Sequence, residues 1–210
     1  MRPSIRTTGE ATVTAKPDRV VIDLAVVTLA ETAEGAATQN ATRLDAVLRE
    51  LKSAAGAAAE VRTMGYSLDP NYRHPTPGGQ PKLAGYTARN SVEVTTSELD
   101  AAGRILDAAT RAGANSIDRL EFTLKDDQAA RGRALREAAA KARASADAIA
   151  SALGVRIIGV LLAEETGGAP PRPLYTVTRM AEAAPAASTP VAPGTLEIHG
   201  TVTLTVEIAQ

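Results

Sequence analysis

The sequence contains no cysteine and few aromatic residues. Without cysteine there are no disulfides, no thiolate metal ligands and no cysteine nucleophile. One Phe, four Tyr and no Trp offer no platform on which nucleic-acid bases would stack. The formal net charge is −1, which lacks the basic excess that nucleic-acid binding requires. We therefore expect no nucleic-acid partner, and a core built from Val, Ile, Leu and Ala.

Long apolar runs are also missing. No stretch approaches the roughly 20 apolar residues that span a bilayer, so we expect no transmembrane segment. The start, Met1-Arg2-Pro3-Ser4, lacks the apolar run of a secretory signal. Two interpretations stay open: a cytoplasmic protein, or a mature form with an initiator Met added for expression. For the second, we expect the genomic reading frame to begin upstream, with a basic start and an apolar segment before Ser4.

Motifs of known chemistry are absent from the sequence. It has no GxSxG, no P-loop and no GxGxxG, and its two histidines, His74 and His199, do not have HExxH spacing. His74 is predicted to be exposed in a Pro-rich loop. His199 is predicted on the polar face of the last strand, where a metal site or a pH switch is the alternative to a plain surface position. We therefore name no catalytic, cofactor-binding or metal-binding residue, and expect a protein that is not an enzyme and needs no cofactor.

Four other features have simple structural explanations. Asp126-Asp127 places negative charge at a helix start, and Glu164-Glu165 closes a strand. Gly85-Tyr86 suits the entry of a strand, with the Tyr ring buried and its hydroxyl in water. Asn115, close to Gly113, is typical of a turn.

The first half of the chain alternates between strand and helix patterns. Two strands are predicted within the first 30 residues, with a turn at Lys16-Pro17-Asp18, and the second is apolar on both faces. A helix over 31–55 has one apolar stripe, formed by Leu44, Val47, Leu48 and Leu51. Strands over 61–68 and 86–96 would form a long hairpin.

The second half ends in the clearest strand. A helix from Leu99 to about Gly113 and a strand over 117–124 come first. The Ala-rich helix over 128–153 follows, with Leu135 and Ile149 predicted as its largest buried side chains. Strands over 155–164 and 196–208 close the chain, with a short strand possible over 175–179. The last strand contains Gly200, where a bend is predicted.

This order predicts an α+β fold: mixed, largely antiparallel sheet or sheets, with three amphipathic helices packed on one side. Two Pro-rich loops interrupt it, over 69–82 and 181–194. The segment 181–193 has no periodic apolar face and is predicted to be a tether that buries little. The final strand and the Pro-rich hairpin are the predicted intersubunit contacts, because unpaired strand edges must be covered.

Several short segments, in this order, resemble the SIMPL-domain family. The resemblance covers residues 5–208, read as a single domain. The segments are Gly9-Glu10-Ala11 and Lys16-Pro17-Asp18, then Gly85-Tyr86-Thr87-Ala88-Arg89-Asn90, Ala112-Gly113-Ala114-Asn115-Ser116-Ile117 and Leu120-Glu121-Phe122, then Ala134-Leu135, Ala142-Arg143 and Leu153-Gly154-Val155, and finally Pro193-Gly194-Thr195-Leu196.

The resemblance implies a function class. Members of that family are mostly bacterial proteins exported to the periplasm or cell surface, without an established enzymatic activity. Some are linked to oxidative-stress defence, and ring-like assemblies are known among them. It implies a non-enzymatic envelope protein, periplasmic or at the cell surface, that acts as a homo-oligomer or through an envelope protein partner. The alternative is a small-molecule-binding protein with a pocket between sheet and helices.

Overall fold

The computed structural model describes residues 2–56, 59–73, 80–166, 172–174, 189 and 191–210. These residues confirm the α+β class. In chain order the elements are β1 (Ser4–Ala15), β2 (Arg19–Ala30), α1 (Ala33–Ala55), β3 (Glu60–Arg73), β4 (Lys82–Thr96), a 3-10 turn (Leu99–Ala101), α2 (Ala102–Ala112), β5 (Ser116–Thr123), α3 (Gln128–Leu153), β6 (Arg156–Glu165), β7 (Arg172–Leu174) and β8 (Thr195–Ala209).

The chain forms two compact units, where the sequence predicts a single domain over 5–208. Unit 2 is built mainly from one continuous stretch, whereas unit 1 collects both ends of the chain and part of its middle. Unit 1 comprises Met1–Pro17, Leu124–Val177 and Gly194–Gln210, and unit 2 comprises Asp18–Thr123 and Thr178–Pro193.

Unit 2 is an antiparallel sheet in the order β3-β4-β2-β5, with α1 and α2 packed together beside it. Strand alternation on β2 turns Val20, Ile22, Leu24 and Val26 into the core, where they meet apolar side chains of α1 and α2. The residues between them include Val21 and Ala25, which are buried as well. The prediction that this strand is covered on both faces, at least in part, is therefore confirmed.

Unit 1 is an antiparallel sheet in the order β1-β8-β6, with the short β7 also paired to β8. The helix α3 lies across β1 and β8. Its buried residues recur at every fourth position: Ala130, Ala134, Ala138, Ala142, Ala146 and Ala150. Four residues turn an α-helix by about 400°, so this stripe drifts by about 40° per step and winds roughly half-way round the helix. A twisted sheet can follow such a path.

Two glycines beneath α3 explain why its stripe contains only alanine. A Cβ on Gly9 would lie 2.1 Å from the carbonyl oxygen of Ala138, and one on Gly200 would lie 2.7 Å from the carbonyl carbon of Ala134. The helix backbone therefore rests almost directly on the backbones of β1 and β8. The Thr7 hydroxyl donates a buried hydrogen bond of 2.7 Å to the Ala142 carbonyl, which fixes the helix at the same level.

The predicted buried side of α3 is partly wrong. Leu135 is partly buried, but Ile149 is 41% exposed and Leu153 is exposed. Side chains of this size do not fit where the helix backbone touches the strands, so they are displaced to the flanks. The predicted range of the helix, by contrast, agrees with the structure.

The strand β3 continues further than the sequence predicts. It runs through Pro70 to Arg73, five residues into the stretch interpreted as a loop. Pro70 is tolerated because β3 is at the edge of its sheet, where a missing N–H donor costs no ladder bond. Residues 74–79 of that loop, which include His74, lie outside the described residues, as does the short strand predicted over 175–179.

The predicted tether over 181–193 packs on unit 2 where it is described. Val191 contacts the core of that unit, and Thr189 donates two hydrogen bonds to the Asp107 carboxylate of α2, from its backbone N–H at 3.1 Å and its hydroxyl at 2.6 Å. This end of the segment is therefore attached to unit 2. Of its described residues, Val191 is partly buried, whereas Thr189, Ala192 and Pro193 are exposed. Positions 181–188 and 190 are outside the described part of the chain.

The final strand also differs from expectation. Twelve residues of β8 pair with β1, and its far side pairs with β6 and β7. A strand at the centre of a sheet has no free edge, so β8 is not the edge contact that its length suggested. Among the described strands, β1 and β6 form the two edges instead.

Adding one methyl group beneath α3 tests this packing. We expect Gly9→Ala to destabilise the protein by about 1–3 kcal/mol, because the new Cβ forces the helix away from β1. Gly159→Ala, on β6, is the matched control, since a Cβ there meets nothing within 4 Å. Urea unfolding followed by circular dichroism measures both. Equal stability of the two variants would contradict the close contact.

Candidate functional site

A row of four charged residues crosses the unit 2 sheet. Strand register places Arg62 of β3 opposite Glu93 of β4, Glu93 opposite Asp23 of β2, and Asp23 opposite Arg119 of β5. We call these four residues the charged row. Two carboxylates stand side by side at its centre, an arrangement that destabilises a sheet unless cations compensate it.

The two arginines provide that compensation. Arg62 binds the Glu93 carboxylate at 2.7 Å, and Arg119 binds Asp23 at 2.8 Å and Glu93 at 3.4 Å. The Glu93 side chain is only 8% exposed, so its charge depends on these partners. The hydrogen bond to Asp23, followed by the negative charges of Asp23, Glu121 and Glu93, raises the pKa of Arg119 above its already high value.

The chemistry open to the charged row follows from its composition. It borders a cavity of about 350 Å³ that is also lined by Arg19, Val21, Glu60, Thr95, Glu121 and Thr123. Guanidinium groups do not release a proton in proteins. Both Glu93 oxygens and Asp23 Oδ2 accept hydrogen bonds from the two arginines, whereas Asp23 Oδ1 is buried without a protein donor. The ion pairs thus hold the charges of the row in a fixed pattern across the sheet.

His199 lies where the sequence placed it, on the polar side of β8. Its Nδ1 forms a 2.8 Å hydrogen bond with the Thr12 hydroxyl of β1, and its Nε2 is 3.8 Å from the Glu197 carboxylate. Within the described part of the chain, no three His, Cys, Asp or Glu side chains come together as a metal site would require. The ring is exposed and cross-links two neighbouring strands.

The paired acids have structural partners. Asp126, one residue before the N-cap position, accepts a 2.9 Å hydrogen bond from the Gln128 N–H and so caps α3. Glu165 is bound by Arg131 of α3, and Glu164 is 3.5 Å from Arg6 of β1. These ion pairs connect β6 to its neighbours in unit 1.

Two further predictions can be compared with the geometry. Gly85 has φ +140°, and a Cβ there would lie 2.6 Å from the Ala30 carbonyl oxygen, so glycine is required for close approach. Asn115 does more than form a turn. Its side-chain amide accepts a hydrogen bond from the Val27 N–H and donates one to the Val27 carbonyl, both at 2.8 Å. These are the two bonds that the backbone of a paired strand residue would make with Val27.

Sequence reasoning missed a buried amide between α1 and the sheet. Asn40 is 1% exposed and donates to the Val26 and Ala88 carbonyls at 2.8 and 3.1 Å. Its Oδ1 and the Oδ1 of Asn90, which lies opposite Val26 in the ladder, are both buried without a protein donor.

One of the two edge strands of unit 1, β6, carries exposed apolar side chains. Ile158, Val160, Leu161 and Leu162 of β6 are between 40% and 58% exposed. We call these four residues the β6 surface. Val160 lies opposite Val206 and Leu162 opposite Thr205, so the bulge between them turns their side chains to opposite faces of the sheet. Large apolar side chains exposed along both faces of one edge strand are candidates for an interaction surface.

The charged row yields a stability prediction. We expect Glu93→Gln to cost about 1.5–3 kcal/mol, because the charge that Arg62 and Arg119 share is lost from a buried position. Glu121→Gln removes a more exposed partner of Arg119 and is expected to cost about 0–1 kcal/mol. Chemical denaturation of the two variants measures the difference, and a larger loss at Glu121 would refute the central place of Glu93.

The contact between Asp107 and Thr189 yields a pH prediction. The hydrogen bonds from Thr189 hold the pKa of Asp107 below its ordinary value of 3.8. A lowered pKa means that the contact contributes above pH 3.8 and is lost as pH falls through the folded-state pKa. We therefore expect the Thr189 amide resonance in NMR spectra to titrate with a midpoint below 3.8. Asp107→Asn should abolish this titration, and a midpoint above 3.8 would contradict the contact.

Comparison with known proteins adds to this geometry. No helix in the described residues is long and apolar enough to cross a membrane. The 26 kDa periplasmic immunogenic protein of Brucella melitensis is 32% identical to this chain, over 97% of this chain and 84% of its own length. The uncharacterized protein YggE of Edwardsiella ictaluri is 29% identical over 93% of this chain and 80% of its own length.

YggE of Escherichia coli is 32% identical over a shorter stretch, 55% of this chain and 46% of that protein. The family whose sequence profile matches this chain is SIMPL, described as protein of unknown function (DUF541), and the match covers residues 5–206. The resemblance that the short sequence segments suggested is thereby confirmed: the chain belongs to the SIMPL family.

Proposed function

We propose that this chain is a non-catalytic periplasmic protein that acts through self-assembly, with the β6 surface as a contact between copies. The periplasmic assignment is supported by the Brucella relative, whose name places that protein in the periplasm. The non-catalytic assignment is supported by the charged row, whose titratable groups are engaged with one another.

The β6 surface is the observation that carries the proposal. Its four large aliphatic side chains lie on an edge strand, and exposing them to water is unfavourable by roughly 25 cal/mol for each Å² that a partner would cover. Register shifts between Ile157 and Gly159, and between Val160 and Leu162, interrupt the strand. Such bulges hinder the addition of another strand along the edge, so side-chain packing is the expected contact.

The mass of the particle in solution tests the proposal. A single chain has a mass of 21.7 kDa. We expect sedimentation equilibrium to report a multiple of it. Val160→Lys combined with Leu162→Lys is expected to restore the single-chain mass, because an interface on either face of β6 cannot bury an unpaired ammonium group. Since both positions are exposed, the variant should keep the circular dichroism spectrum of the parent.

A matched control separates the β6 surface from a general effect of added charge. Ile117 of β5 is 54% exposed, close to the 55% of Val160, and lies in unit 2. Ile117→Lys is therefore expected to leave the assembly intact. If the unaltered protein sediments as a single chain at tens of micromolar, self-assembly is refuted, and an envelope protein partner becomes the occupant to seek.

A stress-defence role would be indirect under this proposal, because the sequence has no cysteine and three methionines to react with oxidants. The alternative, a small-molecule pocket between sheet and helices, stays a prediction. The buried oxygens of Asn40 and Asn90 are the polar groups that such a pocket in unit 2 would offer.

A further inference from the structure

The hairpin of β3 and β4 extends beyond the sheet of unit 2. The pairing of β4 with β2 ends where Tyr86 meets Ala30. Past that point, residues 71–73 of β3 and 82–85 of β4 pair with each other and, among the described strands, with no third one. We call residues 71–73 and 82–85 the ribbon. Two strands without further support are marginally stable in water.

The side chains of the ribbon combine apolar and cationic groups. Tyr72 lies opposite Leu83, and both are about half exposed. The next pair is Arg73 opposite Lys82, two like charges that repel each other across the strands. Consecutive pairs of a ribbon point to opposite faces, so Tyr72 and Leu83 are on one face and Arg73 and Lys82 on the other. A partner that is apolar at the first face and negatively charged at the second would therefore stabilise the ribbon.

The surrounding sequence strengthens this charge. Between Asp69 and Glu93 there is no acidic residue. Arg89, also in this stretch, binds Asp118 of β5 and so does not extend the cationic end. The positive charge of this stretch is thus concentrated on Arg73 and Lys82, which are adjacent to Tyr72 and Leu83 in the two strands. The acidic Glu31 borders the other end of the ribbon, beside Gly85.

We propose that the ribbon docks on an anionic lipid surface. Tyr and Leu side chains enter the boundary between headgroups and acyl chains, while Arg and Lys stay at the level of the phosphates. A second copy of the ribbon is a poor partner because it carries the same positive charge. A lipid surface needs no matched shape, which suits a contact of four side chains better than a folded acidic protein does.

A single tryptophan reports on this contact, because the chain contains none of its own. In Tyr72→Trp, we expect the fluorescence to shift to the blue when vesicles of phosphatidylcholine and phosphatidylglycerol in equal parts are added. Pure phosphatidylcholine vesicles should leave it unchanged. Lipids with brominated acyl chains should quench it, which places the side chain inside the boundary layer.

The matched control is Tyr66→Trp. Tyr66 is on the same strand and has the same 53% exposure as Tyr72, but it lies opposite Asn90, within the sheet. We expect its fluorescence to respond to neither kind of vesicle. An equal response at both positions would overturn the assignment to the ribbon.

Removing the charge tests the electrostatic part. Arg73→Gln with Lys82→Gln should weaken binding to the anionic vesicles about 25-fold, at about fivefold for each cation. Lys52→Gln with Arg104→Gln removes the same charge from exposed helical positions of unit 2 and should change binding less than twofold.

Three further results would overturn the proposal. They are an unchanged spectrum of the Tyr72→Trp variant with anionic vesicles, an equal shift with neutral ones, and a shift that depends on protein concentration without vesicles, which would identify a second copy as the occupant. The outcome is independent of the proposed self-assembly, because the β6 variants leave the ribbon untouched and the ribbon variants leave the β6 surface untouched.

Discussion

Direct contact between the backbone of α3 and the backbones of β1 and β8 determines how unit 1 is built. At Gly9 and Gly200 there is no space for a Cβ, so the helix must present alanine at each crossing. Because those alanines contribute little apolar area each, the unit depends on the number and closeness of its contacts more than on large side chains. The larger apolar residues are pushed outward, and Ile149 and the β6 surface remain in contact with water.

Much of the fold could be predicted from hydrophobic periodicity. The range of α3 and the turn at Lys16-Pro17-Asp18 agree with the structure, because local patterns determine them. The buried side of α3 could not be predicted correctly from the helix alone, because it depends on Gly9 and Gly200. Gly9 is more than a hundred residues away from Ala138, which it contacts. A glycine within a strand, such as Gly200, indicates close approach of another backbone as readily as a bend, and the sequence does not distinguish the two.

The candidate site was less predictable than the fold. Arg62, Glu93, Asp23 and Arg119 come from four strands, and nothing in their local sequence reveals the order β3-β4-β2-β5 that aligns them. Asn115 looked like a turn residue because its partner, Val27, is distant in sequence. The family, by contrast, could be identified from short segments, because their order along the chain is specific even where each is weak.

The central position of β8 also has a kinetic meaning. Its partners are β1, from the other end of the chain, and β6, so the sheet of unit 1 cannot close until the last residues are available. Contacts this distant in sequence are slow to form, because the entropy of closing a long loop is lost before strand pairing stabilises the chain. Unit 2, drawn mostly from one continuous stretch, has no such delay. The chain is thus expected to fold from its middle outward, with β8 pairing last, between β1 and β6.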